Sequence, residues 1–117
     1  MTVKEAYEKL GGNYVDLTYR VGEDMLLRLI SLLVRDESYT DICIALEGED
    51  YESAFNAAHT LKGIALNMGL TILAEKASVL TESLRSRGYN SNIQPSFAEL
   101  EEVYKETYTV LSEVLDS

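Results

Sequence analysis

The chain holds one cysteine, one proline, one histidine and no tryptophan in 117 residues, and ten basic side chains stand against twenty acidic ones. Each shortage removes a class of protein. A single thiol, Cys43, closes no internal disulfide and completes no zinc site, and its place among Ile42, Ile44 and Leu46 predicts ordinary helical packing. One proline and seven glycines exclude a low-complexity linker. No apolar run approaches the roughly 20 residues that span a bilayer, and the first twelve residues have neither the basic start nor the apolar stretch of a secretory leader. The expectation is a cytoplasmic protein with no membrane segment. A formal charge of -10 repels nucleic acid and anionic lipid. There is no glycine-rich nucleotide loop, no Walker Lys-Ser/Thr pair and no magnesium-binding acid set at recognisable spacing, so no ATP use and no metal site are expected.

What is present is enough for a core. The hydrophobic share is 46% and the charged share 26%, values of a soluble globular domain, and the length suits one domain over residues 1–117. Apolar residues recur at spacings of three and four with little strict alternation, which predicts an all-α fold. Thr2 and Glu5 form a capping-box pattern, and the first helix runs to about Leu10 before Gly11-Gly12. A helix from about Glu23 and Asp24 carries Met25, Leu26, Leu29, Ile30, Leu33 and Val34 toward the core. A shorter one covers about residues 39–46. Asp50 caps the next, which continues through Asn67 and closes at Gly69, with Leu70 packed behind it.

A further helix from about Thr71 to Arg87 presents Ile72, Leu73, Ala77, Leu80 and Leu84, and ends on basic Arg85 and Arg87 before Gly88. After Pro95, Ser96 and Glu99 repeat the capping-box pattern, and Phe97, Leu100, Val103, Tyr104, Tyr108, Leu111 and Leu115 form the last stripe. The connections are short except near residues 11–22 and 88–95. Short connections favour antiparallel neighbours, so the expected architecture is an antiparallel up-and-down four-helix bundle with an additional short N-terminal helix or helices. The complete set of helix caps from Thr2 onward suits a self-sufficient domain.

The helix of residues 51–68 separates into two faces on a wheel of about 100° per residue. Ala54, Ala58, Leu61, Ala65 and Met68 make a packing seam, at about 140° to 260° from His59. Glu52, Phe55, Lys62, Gly63, Leu66 and Leu70 fall within about 60° of His59. The lone histidine thus points away from the core. Gly63 is one turn beyond it, mid-helix, where glycine costs roughly 1 kcal/mol relative to alanine. An absent side chain there leaves room beside the imidazole. Lys62 brings a cation to the same side. Phe55, Asn56, Leu66 and Leu70 make up a partner-docking patch around this polar centre. For each residue a plainer reading exists: a surface histidine, a solvated lysine, and an aromatic that covers the flank of the bundle.

The run His59-Thr60-Leu61-Lys62-Gly63, with Gly69 ten residues after the histidine, resembles the phosphorylation motif of histidine phosphotransfer (HPt) domains, His-x-Leu-Lys-Gly with a later glycine. The resemblance extends to helix order along the whole chain. It implies that His59 accepts a phosphoryl group, that Lys62 neutralises it, that Gly63 gives a partner access, that Leu61 is a buried anchor and that Gly69 makes a structural turn. Ile64 stands where many such domains have serine or alanine, so no hydroxyl role follows there. The implied partners are receiver domains of response regulators or hybrid sensor kinases, which supply the acidic pocket and its Mg2+. The chain itself is then a monomeric, stoichiometric carrier in a two-component phosphorelay, with no intrinsic cofactor and no ATP-using kinase activity. The alternatives are an unphosphorylated helical interaction module that docks through the Phe55/Leu66 face, and a fragment of a dimerising histidine kinase.

Overall fold

Thr2 starts the first helix, α1 (Val3–Leu10), by the expected capping box: its hydroxyl accepts from the Glu5 amide at 3.1 Å, and the Glu5 carboxylate accepts from the Thr2 amide at 3.0 Å. The computed structural model describes residues 1–116, and its elements continue as α2 (Tyr14–Val21), α3 (Glu23–Arg35), α4 (Ser38–Glu47), α5 (Tyr51–Asn67), α6 (Thr71–Ser83) and α7 (Ile93–Leu115). No strand occurs among the described residues, and no described helix is long and apolar enough to cross a membrane.

The fold is the expected antiparallel up-and-down four-helix bundle. One of its four rods is broken at Asp36-Glu37: Leu33 in α3 shares a groove with Ile64 and Met68 near the end of α5, while Ala45 in α4 shares one with Ser53 and Ala57 near its start. α3 and α4 therefore run successively antiparallel to α5. α6 packs on α5, α7 packs on α6, and stacking of Tyr39 on Tyr104 closes the ring between α4 and α7. The centre is filled by Leu26, Ile30, Ile42, Leu61, Leu80 and Leu100, with Ala54, Ala58, Ala65 and Ala77 where helices approach closely.

Several boundaries differ from the sequence expectation. Residues 14–21 form α2, because Asn13 caps it by accepting from the Asp16 amide; only Leu17 of this helix is buried, so it has no apolar stripe to read. Met25 lies outside the core of α3, and Ile72 outside that of α6. α6 ends at Ser83 rather than Arg87: the Asn90 side chain donates to the Ser83 carbonyl at 2.6 Å, and Arg87 turns left-handed at φ 55°. α7 begins at Ile93, four residues earlier than a Ser96 cap would place it. Ser96 is no cap there; its hydroxyl donates back to the Asn92 carbonyl, and Pro95 sits in the first turn, where a missing N–H costs nothing. The buried face of α7 consequently runs through Ser96, Leu100, Thr107, Val110, Leu111 and Val114, with Tyr108 and Leu115 exposed.

The far end of α5 is fixed by the N-terminal helices. Gly69 turns left-handed at φ 65°, and a Cβ there would strike the Leu17 side chain. The Asn13 amide donates to the Gly69 carbonyl at 2.9 Å, and the buried Tyr7 hydroxyl donates to the Met68 carbonyl at 2.7 Å. Burial pushes the Tyr7 phenol above its ordinary range, so it stays a donor. Tyr7→Phe is expected to lower the unfolding free energy by about 1–2 kcal/mol in urea titration, because it leaves a buried carbonyl short of a donor. An unchanged midpoint would show that the latch contributes nothing.

Candidate functional site

The seam of α5 sets the direction of everything on its other side. Ala54, Ala58, Leu61, Ala65 and Met68 are all buried, as expected, so His59 is carried outward on a rigid helix and is exposed. Among the described residues its imidazole has no hydrogen bond and no ion pair. Its one ring contact is Phe55, one turn earlier, at 6.1 Å between centroids and 16° between planes. A ring nitrogen left unengaged in water keeps its lone pair available.

Gly63 follows one turn after His59, and a Cβ built on it would meet nothing within 4 Å. No neighbouring helix needs the missing side chain. This removes the plainer reading of a packing glycine and leaves open space beside the imidazole. Lys62 is half-buried on the α6 side of the same face. Across from it Arg85 donates to Glu82 through Nη2 and Nε, at 2.7 and 3.0 Å. These hydrogen bonds hold the Glu82 carboxyl below the ordinary carboxylate range, and the Lys62 charge acts in the same direction. On the other flank Asn56 and Thr60 are exposed beside a groove shared with α4, and Ile64 and Asn67 edge a groove shared with Leu29 and Leu32 of α3.

Two members of the expected docking patch are placed differently. Leu70 is buried at 2% exposure, because the left-handed turn at Gly69 sends it inward, so it belongs to the core and meets no partner surface. Phe55 is also buried, at 8%, under the guanidinium of Arg87, whose central carbon lies 3.8 Å from the ring centroid; that of Arg85 is 5.6 Å away. Leu66 is exposed at 57% and Asn56 is exposed. The two arginines were expected as the basic end of α6, not as a cover over Phe55. Their approach to Phe55 depends on the chain leaving the helix at Ser83, and nothing local in the sequence signals that.

An exposed histidine, an open glycine and a nearby lysine on one outward face, inside an antiparallel bundle, invite comparison with known proteins. The family described as Hpt domain matches residues 26–114, which is most of the chain. The chain belongs to the Hpt domain family. Neither the search of curated proteins nor that of solved structures gives a match. As an Hpt domain it is a phosphotransfer module of two-component signalling, a phosphocarrier rather than a kinase, and it interacts with receiver domains. The match starts within α3, so α1 and α2 lie outside it; they are the elements that brace the Gly69 end of α5.

Proposed function

We propose that His59 is the phosphoryl acceptor of this Hpt domain, that it takes the group from the aspartate of one receiver domain, and that it returns it to the aspartate of another. The observation that carries this reading is the unengaged imidazole of His59 beside the open space at Gly63. In the forward step the lone pair of a neutral ring nitrogen attacks phosphorus in line. The N–P bond forms as the bond from phosphorus to the aspartyl oxygen breaks, and the aspartate leaves as a carboxylate. The other ring nitrogen keeps its proton. The return step reverses each change.

Little acid–base chemistry is asked of the carrier, because phosphoryl transfer depends on positioning and on stabilisation of charge over the phosphoryl oxygens. Lys62 is the cation on the helix itself. Mg2+ belongs to the receiver's acidic pocket in this scheme. Leu66 and Asn56 flank the histidine where a docked receiver would rest. The rival reading, an unphosphorylated module that docks through Phe55 and Leu66, loses half its surface because Phe55 is covered.

The test is incubation with an isotopically labelled phospho-receiver, followed by separation of the two proteins. Label is expected on this chain, labile in acid and stable in base, and it is expected to move on to a second, unlabelled receiver. Failure of phospho-receivers to label the wild-type chain would sink the proposal.

A further inference from the structure

Arg87 occupies a position that suits glycine. Its φ of 55° lies in the left-handed region that side-chain-bearing residues seldom adopt, and its amide closes the turn onto the Leu84 carbonyl at 2.9 Å. Gly88, the residue that would take this conformation freely, stands one place later. A side chain kept at a strained position invites a search for its use.

Of the neighbouring cations, Arg85 is already engaged. Arg85 is held by both oxygens of Glu82, and Lys62 lies within the field of the same carboxylate. Arg87 has no carboxylate partner among the described residues; it donates to the Arg85 carbonyl at 2.8 Å and lies over Phe55. Phe55 is the same ring on which His59 stacks. The exposed guanidinium and the imidazole thus both contact the Phe55 ring. Its present contact is weak, since an exposed cation–π pair is worth much less than a charge-assisted hydrogen bond to a phosphate oxygen.

We infer that Arg87 is a second phosphoryl-holding cation, parked on Phe55 while His59 is bare and transferred to the phosphoryl oxygens once His59 is modified. The inference rests on His59 being the acceptor. In the bare state Phe55 keeps the guanidinium near the imidazole without neutralising an acid. In the phosphorylated state a planar two-pronged donor meets two phosphoryl oxygens, a geometry that lysine at the same place cannot reproduce. The cation also disfavours the ring-protonated form of the phosphoimidazole, so the proton kept through transfer passes to water more readily; that protonated form is the one that makes such phosphates acid-labile. The turn after α6 thus sets how long the group stays on the carrier.

The experiment uses the full chain and phosphoramidate, a small donor that needs no receiver: its P–N bond breaks, ammonia leaves and the phosphoryl group passes to the imidazole. The wild type and Arg87→Gly, Arg87→Gln and Arg87→Lys variants are phosphorylated, freed of donor and followed at one neutral pH. Phosphate on His59 is expected to be lost about five- to tenfold faster in the glycine and glutamine variants, as for loss of one near-surface charge contact, with the lysine variant between. Because glycine relieves the left-handed turn, Arg87→Gly is expected to melt no lower than the wild type, which separates a charge effect from damage to the fold. In the wild type the Arg87 Nε–H resonance is expected at high field while the guanidinium lies over Phe55, and to move to low field on phosphorylation. Equal lifetimes in wild type and Arg87→Gly, or an unmoved resonance, would overturn the parked-arginine inference and leave the acceptor standing. Absence of phosphate from His59 in the wild type would overturn both.

Discussion

Gly63→Leu will stabilise the protein and disable it toward its partner. In the middle of α5 a glycine gives up roughly 1 kcal/mol of helix stability, and leucine restores most of that. A Cβ at this position meets no atom within 4 Å, so the new side chain leaves the backbone free of any clash. Thermal unfolding should therefore occur a few degrees higher, by about 3–5 °C for a chain of this size. Uptake of phosphate from a receiver is expected to fall by about a hundredfold or more, since displacement of a reacting centre by even 1 Å has that effect. Phosphoramidate, small enough to enter past a leucine, should still phosphorylate His59 at close to the wild-type rate. A receiver-dependent rate that survives the substitution would show that the open space at Gly63 is not an entry path.

His59→Gln carries the largest expected effect of any single change. The imidazole is exposed and makes no hydrogen bond, so its replacement should alter stability by no more than about 0.5 kcal/mol and leave the helical circular-dichroism signal intact. Phosphate uptake from both receiver and phosphoramidate should fall to background. The glutamine amide is close in size to the imidazole but presents no nucleophilic ring nitrogen. Retention of fold with loss of label is the combination that identifies an acceptor rather than a scaffold residue.

Much of this site could be read from spacing alone. Steps of four and three through Ala54, Ala58, Leu61, Ala65 and Met68 determine which side of α5 is inside, and His59, Lys62, Gly63 and Leu66 then lie on the other side. Thr2, Asp50 and Gly69 are legible for a similar reason, as caps and turns act over three or four residues and leave local patterns. What the wheel misses depends on distant contacts. Leu70 falls at the right angle for the patch, yet the helix has ended by then and the turn at Gly69 sends the side chain inward. Phe55 is on the outward face by angle and is buried all the same, because Arg87 reaches it from beyond α6. The α2 helix has one buried residue and hence no period to detect. At α7, Ser96 fits a capping box in sequence, but Asn90 and Asn92 organise the turn earlier, and the serine is left within the helix.

The N-terminal helices give the region outside the family match a physical role. They hold the Met68 and Gly69 carbonyls through Tyr7 and Asn13, and so brace one end of the rod that carries His59. With its charge of -10 the carrier is strongly acidic overall, yet three cations, Lys62, Arg85 and Arg87, gather on the α6 side of the histidine. An anionic group arriving there meets a locally favourable field in an otherwise repelling molecule.

Phosphorus NMR of the chain after transfer from a phospho-receiver, recorded for the wild type and for His59→Gln, tests the central claim most directly. A single phosphoimidazole signal in the wild type, lost in acid, kept in base and absent from the variant, is the predicted result. A signal of the same intensity in His59→Gln, or an acid-stable phosphate ester in the wild type, would contradict it.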